Sequence, residues 1–436
     1  MPMSALSSCS AATLRPVVWM MGVSAVGACW GAAPAACDAL DQRVRATTVS
    51  VSGSVSPSDE YTPVVIAARG DGTSLLAWTD RAASRIPLAK LTPADKLKSQ
   101  LPSLAGLEVH AALPQADGTA LAIMSNDPDI YSPKYCWRAD TPDKAVCGKM
   151  DLVRVDTGGA QRSRTTLTEK GNVDSDGAQF IWWYGHTARL ATDGSRIGVY
   201  FRSAMSTPRP GAPGEVDIHA GDTLKFVDAG TGALVNGGWE WGCSHSWSVR
   251  LAHSGSRWGA ACHGDAFPNA MQVSRLSSPT ATPDPLQWLA GTDPARRALG
   301  GLVPAGSGGF WIDYLQPASN GLELKLAKVP ATGAELKRVK TIAAGAALDA
   351  TYPFRPYMAA YGKGKLLLGW KASGQLKLAV ADAGTGEIIE GPVSTTLKID
   401  NFQDMVTAPN GDVLWAYSGG GSSIQVNRVA ACSLAR

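Results

Sequence analysis

The sequence is short of charge. Only 18% of its 436 residues are Asp, Glu, Lys or Arg, against about a quarter in ordinary soluble proteins. What charge it has is balanced, 40 basic residues against 37 acidic, so no basic surplus recommends nucleic acid as a partner. Phenylalanine is scarce, with 7 residues. Past the N-terminal stretch there is no apolar run long enough for a membrane-spanning helix. A hydrophobic share of 45% is too high for a disordered chain, and no heptad pattern marks a coiled coil. Against these shortages stand 14 Trp, 47 Gly and 27 Pro.

Residues 1–35 hold a single charged residue, Arg15, then an apolar stretch over 16–28 and the small-residue site Ala33-Pro34-Ala35. A basic start, a short apolar run and an Ala-x-Ala site predict a secretory signal peptide. Val26-Gly27-Ala28-Cys29 offers the alternative of a lipobox, with lipidation at Cys29. The expected location is therefore secreted or periplasmic, with an outer-membrane lipoprotein as the alternative. Six cysteines follow: Cys37, Cys136, Cys147, Cys243, Cys262 and Cys432. An even number in an oxidising compartment predicts disulfides.

The chain repeats itself. Arg189-Leu190-Ala191-Thr192-Asp193-Gly194-Ser195-Arg196-Ile197-Gly198 returns as Arg250-Leu251-Ala252-His253-Ser254-Gly255-Ser256-Arg257-Trp258-Gly259. The pattern is strand, glycine turn, strand. Seven such turns occur, at Gly72, Gly118, Gly194, Gly255, Gly308, Gly364 and Gly411, each followed by an apolar run such as Leu75-Leu76-Ala77-Trp78 or Leu414-Trp415-Ala416-Tyr417. A third element alternates apolar and polar residues, as in Leu324-Lys325-Leu326-Ala327-Lys328, the period of a strand exposed on one side. Several of these end in Thr-Gly turns, and a more polar fourth strand follows.

Seven four-stranded units predict an all-β, seven-bladed β-propeller of antiparallel blades. The blades are expected at about residues 61–107, 108–180, 181–243, 244–295, 296–349, 350–400 and 401–430, the last completed by residues 43–55, within a single domain over 36–436. The seventh unit lacks its outer strand, and the segment 44–51 reads as the missing one. Cys37 and Cys432 would then be neighbours and a disulfide would lock the ring. In these repeats the chain resembles secreted bacterial β-propellers. Its Asp-Ala-Gly-Thr-Gly turns (Asp228 to Gly232, Asp382 to Gly386) are similar to outer turns of pyrroloquinoline-quinone-type repeats. The Trp signatures of that family and of WD repeats are missing. The resemblance implies an architecture and no activity.

In such a ring, the start of each innermost strand and the loop between second and third strands share one face. That face is expected to collect Tyr61, His110, His186, His245, Arg296, Arg297, Arg355, Gln403 and Asp404, together with long loops over 125–150 and 202–222. Long loops on a rigid scaffold are where function usually sits. Cys243 and Cys262 are expected to pair across one hairpin, with His245, His263 and Asp265 beside them. A Cys₂His₂ metal site is the rival reading, and His263 with Asp265 forms a smaller metal candidate. Cys136 and Cys147 are expected to close a local loop. Asn172, Asp174 and Asp176 space oxygen ligands like the start of a calcium loop, although Trp183 stands where a twelfth-position Glu belongs. Calcium is thus the one cofactor suggested.

Gly242-Cys243-Ser244-His245-Ser246 lacks the second glycine and the helix of a nucleophile elbow. Gly230-Thr231-Gly232 lacks the helix of a dinucleotide loop. Arg69-Gly70-Asp71 sits in a short turn. Two aromatic clusters, Trp182-Trp183-Tyr184 and Trp239-Glu240-Trp241, pack between blades or form a platform for sugar rings. Ligand-binding candidates are His110, Arg189, Trp183, Trp241, Gln403 and Asp404. The expected function is binding of a polysaccharide or extracellular protein by a monomer. The alternative is a polysaccharide lyase, with His186 or His245 as base and Arg250 or Arg355 neutralising charge.

Overall fold

The computed structural model describes residues 37–57, 61–126, 148–168, 179–181, 187–208, 211–212, 216–349 and 355–432. Seven antiparallel blades of four strands each account for nearly all of them. The innermost strands are Val64–Ala68, Glu108–Gln115, Ala188–Thr192, Val249–Ser254, Ala298–Pro304, Tyr357–Tyr361 and Val406–Thr407. Each touches the next, and the last touches the first, so the blades form a closed ring around an axial channel. Helix among the described residues is limited to three short 3₁₀ turns. The chain is one all-β, seven-bladed propeller.

Blade seven draws on both ends of the chain. Val44–Ser50 runs antiparallel to Ser423–Val429, with Val44 opposite Val429 and Ser50 opposite Ser423. Just outside these strands Cys37 and Cys432 form a disulfide. Blades two and three share a further connection: the short strand Gln179–Ile181 pairs with both Gly148 and the segment 203–205.

The apolar runs after the turn glycines become second strands, sandwiched between neighbouring blades. Trp78, Trp258, Trp311 and Trp415 lie there and are fully buried, which accounts for much of the tryptophan. Large flat side chains fill the widening wedge between twisted sheets better than aliphatic ones. One core cluster joins Val64, Ile66, Leu76 and Trp78 of blade one to Leu414, Ala416 and Val49 of blade seven, so the closing strand contributes to packing as well as to the ladder.

The outer turns are held by aspartate. In the Asp228 turn, Oδ1 accepts from the backbone N–H of Gly230 (3.0 Å) and Thr231 (2.7 Å) and from the Thr231 hydroxyl (2.9 Å). Asp382 makes the same three contacts with Gly384 and Thr385. Gly232 and Gly386 then adopt φ of +78° and +79°, where a β-carbon is strained. Arg69 of the Arg69-Gly70-Asp71 turn is buried and donates to the Thr157 carbonyl (3.1 Å) and the Thr119 hydroxyl (3.2 Å). It ties blade one to blade two. His253, placed in a turn by the sequence pattern, belongs to the strand Val249–Ser254 opposite Trp258.

Candidate functional site

The axial channel is a cavity of about 430 Å³, lined by the innermost strands of all seven blades. The end where those strands begin is polar. His110, Arg189, Arg250, Gln403 and Asp404 line it there, although they are far apart in sequence. Further along, the wall is mainly apolar, with Val64, Leu190, Leu302 and Met358.

Asp404 is the centre of the polar end. Its carboxylate pairs with Arg189 of blade three, lies 3.2 Å from Arg355 Nη2, and lies 3.9 Å from Arg250 Nε. The three guanidiniums also cap strand ends. Arg189 donates to the carbonyls of Ala188 (2.7 Å) and, across the ring, Phe402 (2.7 Å). Arg250 donates to Gly300 (2.5 Å) and Leu299 (3.2 Å) of blade five. Arg355 donates to the carbonyls of Asn401 and Gln403. Burial, with Arg355 adding repulsion, lowers the Arg189 pKa to about 10.

Other residues expected on this face are absorbed by the scaffold. Gln403 is buried; its amide donates to the Val64 carbonyl at 2.9 Å. His110 is buried against Glu108, Nε2 to Oε2 at 3.5 Å, and Glu108 also pairs with Arg81. Arg81 in turn lies over the ring of buried Tyr61, 4.5 Å from its centroid. Arg297 donates to the carbonyls of Leu289, Thr292 and Gly264, while its neighbour Arg296 is exposed.

A second cluster lies on the rim at blades three and four. Cys243 and Cys262 form a disulfide there. The Ser244 amide donates to the Phe267 carbonyl at 3.0 Å, and the His245 amide to Ala220 at 2.8 Å, so three segments meet beside the bridge. His245 has φ +49°, a left-handed conformation that is uncommon for a side-chain-bearing residue. Its imidazole is 49% exposed, with Nδ1 3.2 Å from Asp265 Oδ1. The other Asp265 oxygen accepts from the Trp247 indole at 3.0 Å. Trp241, 37% exposed, meets His219 edge-on at 6.0 Å between ring centroids. Phe267 is 80% exposed.

His263 does not share Asp265 with His245. It is buried, and burial together with the charges of Arg297 and Arg202 pushes its pKa down to about 3. Among the described residues the one group of potential metal ligands within mutual reach is Asp222, Cys243 and Cys262, and its two sulfurs are bonded to each other. His186, Trp183, the calcium-loop candidates Asn172, Asp174 and Asp176, and the pair Cys136 and Cys147 lie outside the described residues.

No family model matches this chain. No curated protein matches it either. Among solved structures, a Mycobacterium tuberculosis puromycin-hydrolysing peptidase superposes with a TM-score of 0.49 at 12% identity, over 88% of this chain and 58% of that one. The chain thus spans little more than half the length of that peptidase. An ulvan lyase described as a new polysaccharide lyase family gives 0.49 at 11% identity, over 76% and 80% of the two chains. A fucoside complex of the Aleuria aurantia lectin gives 0.39 at 13% identity, over 78% and 100%.

Two buried acids escaped the sequence reading. Asp222 accepts from the Trp239 indole (3.0 Å) and the Cys243 amide (3.0 Å), and burial pushes its pKa up to about 7. Asp313 accepts from the Gly301 amide (2.5 Å), and burial pushes it up to about 8. The available signal was an acid inside an otherwise apolar strand, Trp311-Ile312-Asp313-Tyr314.

Proposed function

We propose that this protein is an exported, non-catalytic binding propeller that holds a carbohydrate on the rim of blades three and four. The observation that carries this reading is the exposed pair Trp241 and Phe267 set beside His219, His245 and Asp265. Aromatic faces stack on the apolar faces of sugar rings, while neighbouring polar groups bond the hydroxyls. The disulfide and the Asp265 contacts fix this surface before any ligand arrives, which lowers the ordering cost of binding. Export follows from residues 1–35 read as a signal peptide. The test is binding of a panel of neutral and acidic polysaccharides. Trp241→Ala is expected to weaken the best ligand by roughly tenfold or more, and unchanged affinity overturns the rim platform.

One observation favours a second reading. Asp265 Oδ1 lies 3.2 Å from His245 Nδ1, and a histidine with a carboxylate beside one nitrogen can present its other nitrogen as a base. In a lyase it would remove the proton alpha to a uronate carboxylate. Unsaturated products formed by the wild type and not by His245→Ala would establish this reading over simple binding.

A further inference from the structure

Among the described residues, the channel mouth carries more positive charge than the scaffold cancels. Arg189, Arg250 and Arg355 all contact Asp404. Carbonyls satisfy most of their remaining N–H groups, but a carbonyl does not neutralise a buried cation. The described acids nearby are already engaged. Glu108 serves Arg81 and His110. Asp313 is held neutral by burial up to about pH 8. Lys371 and Asp400 also interact near Arg355, and their opposite charges offset each other.

Three further facts indicate what balances the excess. Asp404 is only 33% exposed, yet that is enough for solvent to reach the cluster from the channel. Arg355 Nη1 is buried and donates to no acceptor. The cavity continues past the arginines between apolar walls, and its volume of about 430 Å³ falls at the small end of ligand pockets, roughly 300–1,000 Å³. Asp404 itself shows that a carboxylate fits among these guanidiniums.

We propose that the channel mouth is a second site, for a small organic carboxylate with an apolar body. The acid group lies beside Asp404 against Arg189 and Arg250, which line the channel with it, while Arg355 supports Asp404 from behind the wall, and the body extends along the channel past Leu302 and Met358. Two carboxylates then face three guanidiniums. This site shares none of its residues with the rim platform and does not depend on it.

The test uses the purified, oxidised protein with hexanoate as probe and inorganic phosphate as an anion lacking the apolar body. Calorimetry is expected to show hexanoate binding with phosphate much weaker, and hexanoate should raise the melting temperature. Asp404→Asn removes the resident negative charge, so it should bind hexanoate roughly tenfold tighter or better. Ala111→Phe, on the channel wall, should abolish hexanoate binding while the protein remains folded. Trp241→Ala should leave it unchanged, which separates this site from the rim. The proposal is overturned if the wild type binds no hexanoate, if phosphate binds as well as hexanoate, or if Ala111→Phe binds like the wild type. These three readings stand even where Asp404→Asn does not fold.

Discussion

Asp313 and Asp222 are both buried acids with raised pKa, but they should respond differently to amidation. Asp313 accepts one hydrogen bond, from the Gly301 amide, and its Oδ2 has no partner. Burial raises its pKa from the ordinary value near ~3.9 to about 8. The protonated form is therefore favoured by folding. Its stabilising effect is complete below about pH 4, declines as pH rises, and is lost above about pH 8. Asp313→Asn removes the titration. It should be near neutral at about pH 4 and stabilising at about pH 9, by an upper figure on the order of 5 kcal/mol. Denaturant unfolding at the two pH values checks it. Asp222 uses both oxygens as acceptors, for Trp239 and Cys243, so an amide sets a donor against a donor. Asp222→Asn should cost about 1–3 kcal/mol at about pH 8, read by the same experiment.

Some of this scale was legible in the sequence and some was not. That Arg355, Gln403 and Asp404 share one face was legible because a propeller brings the starts of its innermost strands together, wherever they fall along the chain. Arg189 and Arg250 stood out only as possible partners of acidic groups, and the structure adds them beside Asp404. That His110 would lie beside Glu108 and that the Gln403 amide would donate to the Val64 carbonyl was not legible, because such side-chain pairings leave no pattern in the sequence. Asp265 was paired with His263 in the sequence reading, whereas in the fold its oxygens lie near His245 Nδ1 and accept from the Trp247 indole. Spacing alone cannot say which of two neighbouring histidines an acid will choose.

At the scale of elements, blades are tied by ions as well as by apolar packing. Arg428 on the third strand of blade seven donates to both oxygens of Asp95, at 2.7 and 2.5 Å, and to Asp412 at 2.8 Å. Asp95 lies in an outer turn of blade one and is fully buried. Removing one member of such a network strands the others without water. Asp95→Ala should destabilise the ring by about 3–5 kcal/mol, seen as a shift in the denaturant midpoint at constant slope. The Asp-Ala-Gly-Thr-Gly turns are the element read most directly from sequence, because the aspartate contacts that shape them lie within a few consecutive residues. The bulge between Leu299 and Leu302 was not read. It brings the Gly301 amide to Asp313 Oδ1 across the strand pair, a pairing that leaves no mark within the strand's own sequence.

For the whole molecule, the fold was legible because seven repeats of one hairpin agree and errors in any single copy are outvoted. The buried tryptophans of the second strands and many of the glycines follow from it, as wedge fillers and turns. Closure carries its own prediction. The Cys37–Cys432 disulfide spans 395 residues, and so long a loop restricts the unfolded chain strongly, by about 5 kcal/mol on an entropy argument. The double variant Cys37→Ser, Cys432→Ser should melt lower. Its amide exchange should rise first in Val44–Ser50, whose only ladder is the pairing with Ser423–Val429.

That pairing also makes the order of synthesis matter. A strand laid down among the first residues waits for a partner made among the last, so six blades can assemble while the seventh stays open. Until residues 423–429 arrive, Val44–Ser50 lacks its ladder partner, and the apolar face of blade one that packs on blade seven is uncovered. A chain cut short by thirty residues would not be a slightly smaller propeller. It would be an open arc with two sticky ends, readily seen by a protease.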